Sequence, residues 1–151
     1  MTKDHILIAL SESPQTKFGK EPFASLSHSH KVFSAIWAVE SEVNNGGFSQ
    51  YFLNESAETV PFVAEALDAM GAPKTADISR RAITCAFPDG LPRTTADIRS
   101  AAADFSDNAL EALEPLDDEF FAYPHNLADL LFAFLSKYPQ EFGPLPKPDD
   151  A

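Results

Sequence analysis

Cysteine is almost missing from this chain: Cys85 is the only one in 151 residues. No internal disulfide can form, which reads as a protein of a reducing cytoplasm. Ala82, Ile83, Ala86 and Phe87 surround Cys85, so it reads as a small core residue, with no nearby histidine to serve as its base. Long apolar runs are missing too. Ile6 to Leu10 is too short for a signal-peptide core, and Leu130 to Leu135 is far too short to cross a bilayer. No segment alternates β-branched and polar residues with period two, which argues against strands. There is no glycine-rich phosphate loop, no Gly-x-Ser-x-Gly elbow and no His-Glu-x-x-His, so the common phosphate, hydrolase and zinc-protease signatures are excluded.

Histidine is sparse, and its placement does not suit a metal. His28 and His30 are two apart, on opposite sides of any helix, while His5 and His125 are remote in sequence. Metal-binding pairs on helices use three- or four-residue spacing. The acidic pairs Glu40/Glu42 and Asp117/Asp118 lie in polar surroundings, whereas an acid–base pair needs one pKa moved by burial. The expectation is therefore a non-enzymatic protein with no catalytic residue, no metal and no cofactor.

What is abundant is apolar residues at helical spacing. Hydrophobic residues make up 44% of the chain, thirteen of them Phe, ample for one core in a domain of this length. The pattern predicts an all-α, single compact domain of about six helices over residues 1–151. Residues 1–26 form a short helix and a loop, and residues 143–151 an extended tail. A helix starts near Ser27 with Val32, Phe33, Ile36, Trp37 and Val43 on one face. Another starts at Ser56 or Thr59 and is closed by Gly71 and Pro73; a third runs from Thr75 to about Phe87. The longest reads from Thr94-Thr95 to Glu114 and ends at Pro115, with further helical turns to Ala122. The last begins at Asn126 and stops before Pro139.

Charge is the other signal. The net charge is −12, and residues 40–73 and 100–136 carry −6 and −8 with no Lys or Arg in either. Such blocks repel nucleic acid and anionic membranes and attract basic surfaces. On the predicted long helix, Asp104, Asp107, Glu111 and Glu114 form one stripe, with Asp118 beyond them, spaced compatibly with phosphates along one DNA strand. A second strand would draw on Glu55, Glu58 and Glu65, or on a partner protomer. The plain alternative is a solvated face that maintains solubility.

Between two helical segments stands Asn44-Asn45-Gly46-Gly47-Phe48-Ser49-Gln50-Tyr51-Phe52-Leu53-Asn54. Glycines after asparagines read as a helix C-cap and reversal, and Phe48, Tyr51 and Phe52 as one face of a short helix. With Ile36-Trp37-Ala38-Val39-Glu40, Ala64 to Ala72, and weaker echoes at Leu116 to Phe121 and Asn126-Leu127, this segment resembles the DNA-mimic protein family, small acidic bacterial proteins. The match includes Asn45, Gly46, Gly47, Phe48, Gln50, Tyr51 and Asn54, mainly a structural set: glycines for the turn, aromatics for the core, amides for helix ends. The resemblance implies an α-helical, often dimeric domain whose acidic surface imitates duplex DNA. Its partner would be a basic DNA-binding protein such as a helix-turn-helix regulator, with no direct nucleic-acid or membrane contact. The alternative is a small-molecule-binding protein or enzyme with a pocket near Asn45, Gln50, Tyr51 and Asn54.

Overall fold

Several helices here start where a small polar side chain can take a free N–H group, while the helices at Val60 and Pro73 start with a proline in the first turn and no side-chain cap. Ser27, Thr94, Ser106 and Asn126 each accept a hydrogen bond from a backbone N–H three residues on. The computed structural model describes residues 2–13 and 21–149. Among them are eight α-helices and no β-strand: α1 (Lys3–Ser11), α2 (His28–Leu53), α3 (Val60–Met70), α4 (Pro73–Ala86), α5 (Thr95–Ala103), α6 (Asp107–Phe121), α7 (Leu127–Leu135) and α8 (Pro139–Phe142). Phe23–Ser25 and Glu55–Thr59 are 3-10 turns. The all-α expectation holds. The loop read at 13–22 falls mostly on 14–20, outside the described residues; the tail from Gly143 has no regular structure as far as Pro148.

The hydrophobic centre is α2, which packs against α3, α5, α6, α7 and the Glu55–Thr59 turn. Its Val32, Phe33, Ile36, Val39, Val43, Phe48 and Phe52 are 0–1% exposed. α4 closes the bundle against α3 and α6, and α1 lies on α7. Gly71, at φ 90°, ends α3 with a left-handed residue, as its position before Pro73 suggested.

Two boundaries differ from the sequence reading. The predicted helix from Thr94 to Glu114 is two helices, broken at Asp104 to Ser106. Ser106 caps α6 through the Ala109 N–H at 3.1 Å, while the Phe105 ring turns in against Phe52 and Phe87, with centroids 6.4 and 5.5 Å away. Pro115 does not end α6, which continues to Phe121. Proline leaves the carbonyl of Glu111 without its helical partner, but Pro115 is exposed and water can serve that carbonyl. The short α8 begins with Pro139, in the first-turn position that proline favours.

Candidate functional site

The two glycines break α2 internally rather than reversing the chain. Gly46 (φ −157°, ψ 18°) and Gly47 (φ 78°, ψ −179°) leave the helical region and the helix resumes at Phe48. Gly47 occupies backbone space that is nearly exclusive to glycine. A helix that restarts needs partners for its first N–H groups. Here the partner comes from α6: Asp117 Oδ1 accepts the Phe48 N–H at 2.8 Å. A Cβ on Gly47 would stand 2.5 Å from Asp117 Oδ2, so the glycine also makes room for the carboxylate. Burial raises the Asp117 carboxyl above its ordinary range; the Phe48 bond works against that, and the charges of Asp118 and Glu114 add to it.

Gln50, Tyr51, Phe52 and Asn54, with the Phe48 ring, are committed to the scaffold. Gln50 Nε2 and Asn54 Nδ2 both donate to Glu42 Oε2, at 3.0 and 2.7 Å, so one carboxylate from before the break ties down two amides after it. Tyr51 is 0% exposed and its hydroxyl meets Thr59 Oγ1 at 2.6 Å. Phe48 stacks edge-on against Phe120 of α6 at 5.8 Å and Phe52 against Phe87 at 5.3 Å. Asn45 is exposed beside the break. Most motif residues thus hold helices together, and of the amides read as a ligand pocket Gln50 and Asn54 instead bind Glu42.

The acidic candidates separate into groups. Asp107, Glu111, Glu114 and Asp118 lie at four-, three- and four-residue steps along α6, and all are exposed. None has an ion pair among the described residues. Asp104 leaves this stripe, because it caps the C-terminus of α5. Glu55 and Glu58 sit in the 3-10 turn and Glu65 on α3; that turn packs on α2, α5 and α3, whereas α6 packs on α2 and α4. Burial and the charge of Glu55 raise the Glu58 carboxyl. Next to the α6 stripe, Glu119 instead holds Arg81 in a two-pronged contact of 2.8 and 2.7 Å, and Arg81 also reaches Asp77 at 2.9 Å. Arg81 of α4 is therefore already paired, with Glu119 of α6 and Asp77 of its own helix.

Asp117 and Glu42, which the sequence offered only as members of polar acidic pairs, are scaffold residues whose roles it did not identify. Glu42 carried a signal, since Gln50 and Asn54 follow it at helical distances of eight and twelve; Asp117, sixty-nine residues from Phe48, carried none.

A model of the family described as DMP19-like protein matches residues 24–138. The chain belongs to the DMP19-like protein family. This corrects the expected membership of a DNA-mimic family defined by the glycine-aromatic motif: the match is to DMP19-like proteins as a family of their own, and nothing in it marks the Asn45 to Asn54 segment as a mimicry motif. The matched span runs from within the first 3-10 turn through α7, so it takes in both the α2 break and the α6 stripe of this DMP19-like chain. No curated protein and no solved structure matches the chain.

Proposed function

We propose that this protein is a non-enzymatic, acidic binding module that occupies the DNA-binding surface of a basic protein. The observation that supports this most is the α6 stripe. Asp107, Glu111, Glu114 and Asp118 are exposed and unpaired among the described residues, on the helix face turned away from buried Leu113, Leu116 and Phe120. At about 1.5 Å of rise per residue the stripe is roughly 16 Å long, close to five phosphate steps of about 3.4 Å on one strand. Charge held rigidly by a packed helix loses little side-chain and backbone freedom on binding, an advantage over a disordered acidic tail. One helix offers one strand, so a homodimer is part of the reading, its second copy supplying the other. No helix among the described residues is long and apolar enough to cross a membrane; a cytoplasmic site of action is the setting in which such partners would be met.

The test is competition. The labelled protein is titrated against a panel of purified DNA-binding proteins, helix-turn-helix regulators among them, at about 50 and 300 mM salt, with and without duplex DNA. A partner that binds at low salt, weakens steeply at high salt and is displaced by duplex is the expected result. A panel that never binds, or a partner that holds the protein and duplex together, overturns the proposal.

A further inference from the structure

Away from the α6 stripe, a cleft opens where α1, α2 and α7 meet. Two adjoining cavities of about 370 and 410 Å³ share Asp4, Glu40 and Ala128. One is walled by Leu7, Ile8, Trp37 and Leu131; the other opens toward Tyr123 and Asn126. Each lies within the size range of small-molecule sites.

Glu40 is the group the fold leaves incomplete. It is half-buried, and Tyr123 donates its hydroxyl proton to Glu40 Oε1 at 3.1 Å while accepting from Asn44 Nδ2 at 2.6 Å. No Lys or Arg pairs with Glu40 or Asp4 among the described residues. The nearest base in the sequence, Lys3, is engaged by Asp129 at 3.0 Å. Tyr123 itself stands at φ 48°, a left-handed conformation unfavourable for a non-glycine residue. A carboxylate drawn out of water with one neutral donor and no cation is costly. Burial accordingly lifts its carboxyl above the usual range; the Tyr123 bond opposes this and the charge of Asp4 reinforces it.

We propose that this cleft binds an aliphatic amine as its ammonium ion, the charged head on Glu40 and Asp4 and the methylene stem along Leu7, Ile8 and Trp37. An anion would meet two carboxylates and no base. A neutral apolar molecule would fill the wall and leave Glu40 uncompensated. A divalent metal ion needs six or so oxygen ligands in a closed shell, and no group of three or more His, Cys, Asp or Glu suited to a metal occurs among the described residues. An ammonium ion satisfies both halves: three donors for the carboxylate and phenol oxygens, and an indole ring to face the cation.

Trp37 is the sole tryptophan and lines the cleft, so its fluorescence reports occupancy in the full-length protein. The titrants are n-butylammonium chloride, 1-butanol as its neutral analogue, and sodium chloride at matched ionic strength. A saturable change with butylammonium alone is expected, with at least a tenfold loss of affinity in Glu40→Gln, which retains an acceptor for Tyr123. Asp89→Asn, in an exposed turn outside the cleft, should bind as the unaltered protein does. Calorimetry repeats the titration in case the indole is silent, and circular dichroism checks each variant's fold. If Glu40→Gln does not fold, Asp4→Asn, exposed near the start of α1, decides with the same expected loss. Absence of saturable binding by both methods, an equal response to sodium chloride, or full affinity in a folded Glu40→Gln overturns the proposal.

Discussion

Asp117 of α6 caps Phe48 of α2 across sixty-nine residues, its Oδ1 lying 2.8 Å from the Phe48 N–H. This bond joins the two features that dominate the chain. The glycine break creates a helix start in the middle of the core, and the acidic helix supplies the acceptor that start requires. Asp117 is thus an inward-facing acid beside an outward-facing row, and the same α6 that exposes Asp118 spends Asp117 on holding its own position.

Gly47→Ala tests the joint. Its φ of 78° with ψ of −179° costs a non-glycine residue about 1–3 kcal/mol, and the new Cβ would displace the Asp117 carboxylate, removing a cap worth about 1 kcal/mol. The expected loss is about 2–4 kcal/mol, or roughly 5–15 °C in Tm for a domain of this size. Asp117→Asn, which keeps an acceptor, should lose far less than Asp117→Ala. Thermal and urea unfolding of all three give the ranking; a Gly47→Ala protein as stable as the original would remove the joint's importance.

Much of this was legible from local chemistry. Ser27, Thr94 and Asn126 start helices because a short polar side chain can reach an N–H three residues on, and Gly71 ends one because a left-handed residue must. The break at Asp104 to Ser106 was not legible, because Ile98, Ala102, Phe105, Ala109 and Leu113 keep a helical period straight across it. A period reports which face is apolar, and both short helices bury that face. Pro115 misled for the opposite reason: its rule concerns a lost hydrogen bond, and an exposed carbonyl loses little. The contacts of Asp117 with Phe48 and Glu40 with Tyr123 join residues sixty-nine and eighty-three apart, and no local pattern encodes such pairings.

Glu40 should make stability depend on pH. Burial raises its carboxyl above the ordinary value of 4.5, so the native state holds that proton more tightly than the unfolded chain does. The contribution is present in full below about pH 4.5 and is lost as pH rises through the raised native value. Asp117 and Glu58, raised too, act with the same sign, whereas Glu119 is lowered by Arg81 but is exposed, so solvent screens that pair. Glu40→Gln should therefore be more stable than the original protein at pH 7 and differ less from it at pH 4. Urea midpoints across that range measure the difference, and a Glu40→Gln protein that is the weaker at neutral pH contradicts the account.

On α6, changing Asp107, Glu111, Glu114 and Asp118 together to Lys should leave helicity intact, because Leu113, Leu116 and Phe120 keep the buried face. Exposed substitutions of this kind shift stability by about 0.5 kcal/mol or less each. Binding to a basic partner should fall by about a hundredfold or more, since like charges then face each other. Asp104→Lys, off the stripe, should cost much less. Titration of both variants beside circular dichroism separates the effects; an Asp104→Lys protein that loses as much as the fourfold variant would show that the stripe is not the contact surface.

The buried pair Tyr51 and Thr59 allows the sharpest stability test. Thr59 Oγ1 donates to the Ser56 carbonyl at 2.8 Å, so its remaining lone pair accepts the Tyr51 hydroxyl at 2.6 Å. Tyr51→Phe removes one bond and strands no donor, which should cost about 1 kcal/mol. Thr59→Val leaves the Tyr51 hydroxyl buried with no acceptor and the Ser56 carbonyl without its donor, for about 2–3 kcal/mol. The double variant strands no hydroxyl, so its cost should fall below the sum of the singles by about 1 kcal/mol. Burial pushes the Tyr51 phenol up, against the Thr59 bond and with help from the charge of Glu42, so it stays protonated and the coupling should be the same at pH 6 and pH 9. Urea unfolding of the four proteins closes the cycle. Strictly additive singles would show that the two hydroxyls do not depend on each other, and the turn from Glu55 to Thr59 would then be held against α2 by packing alone.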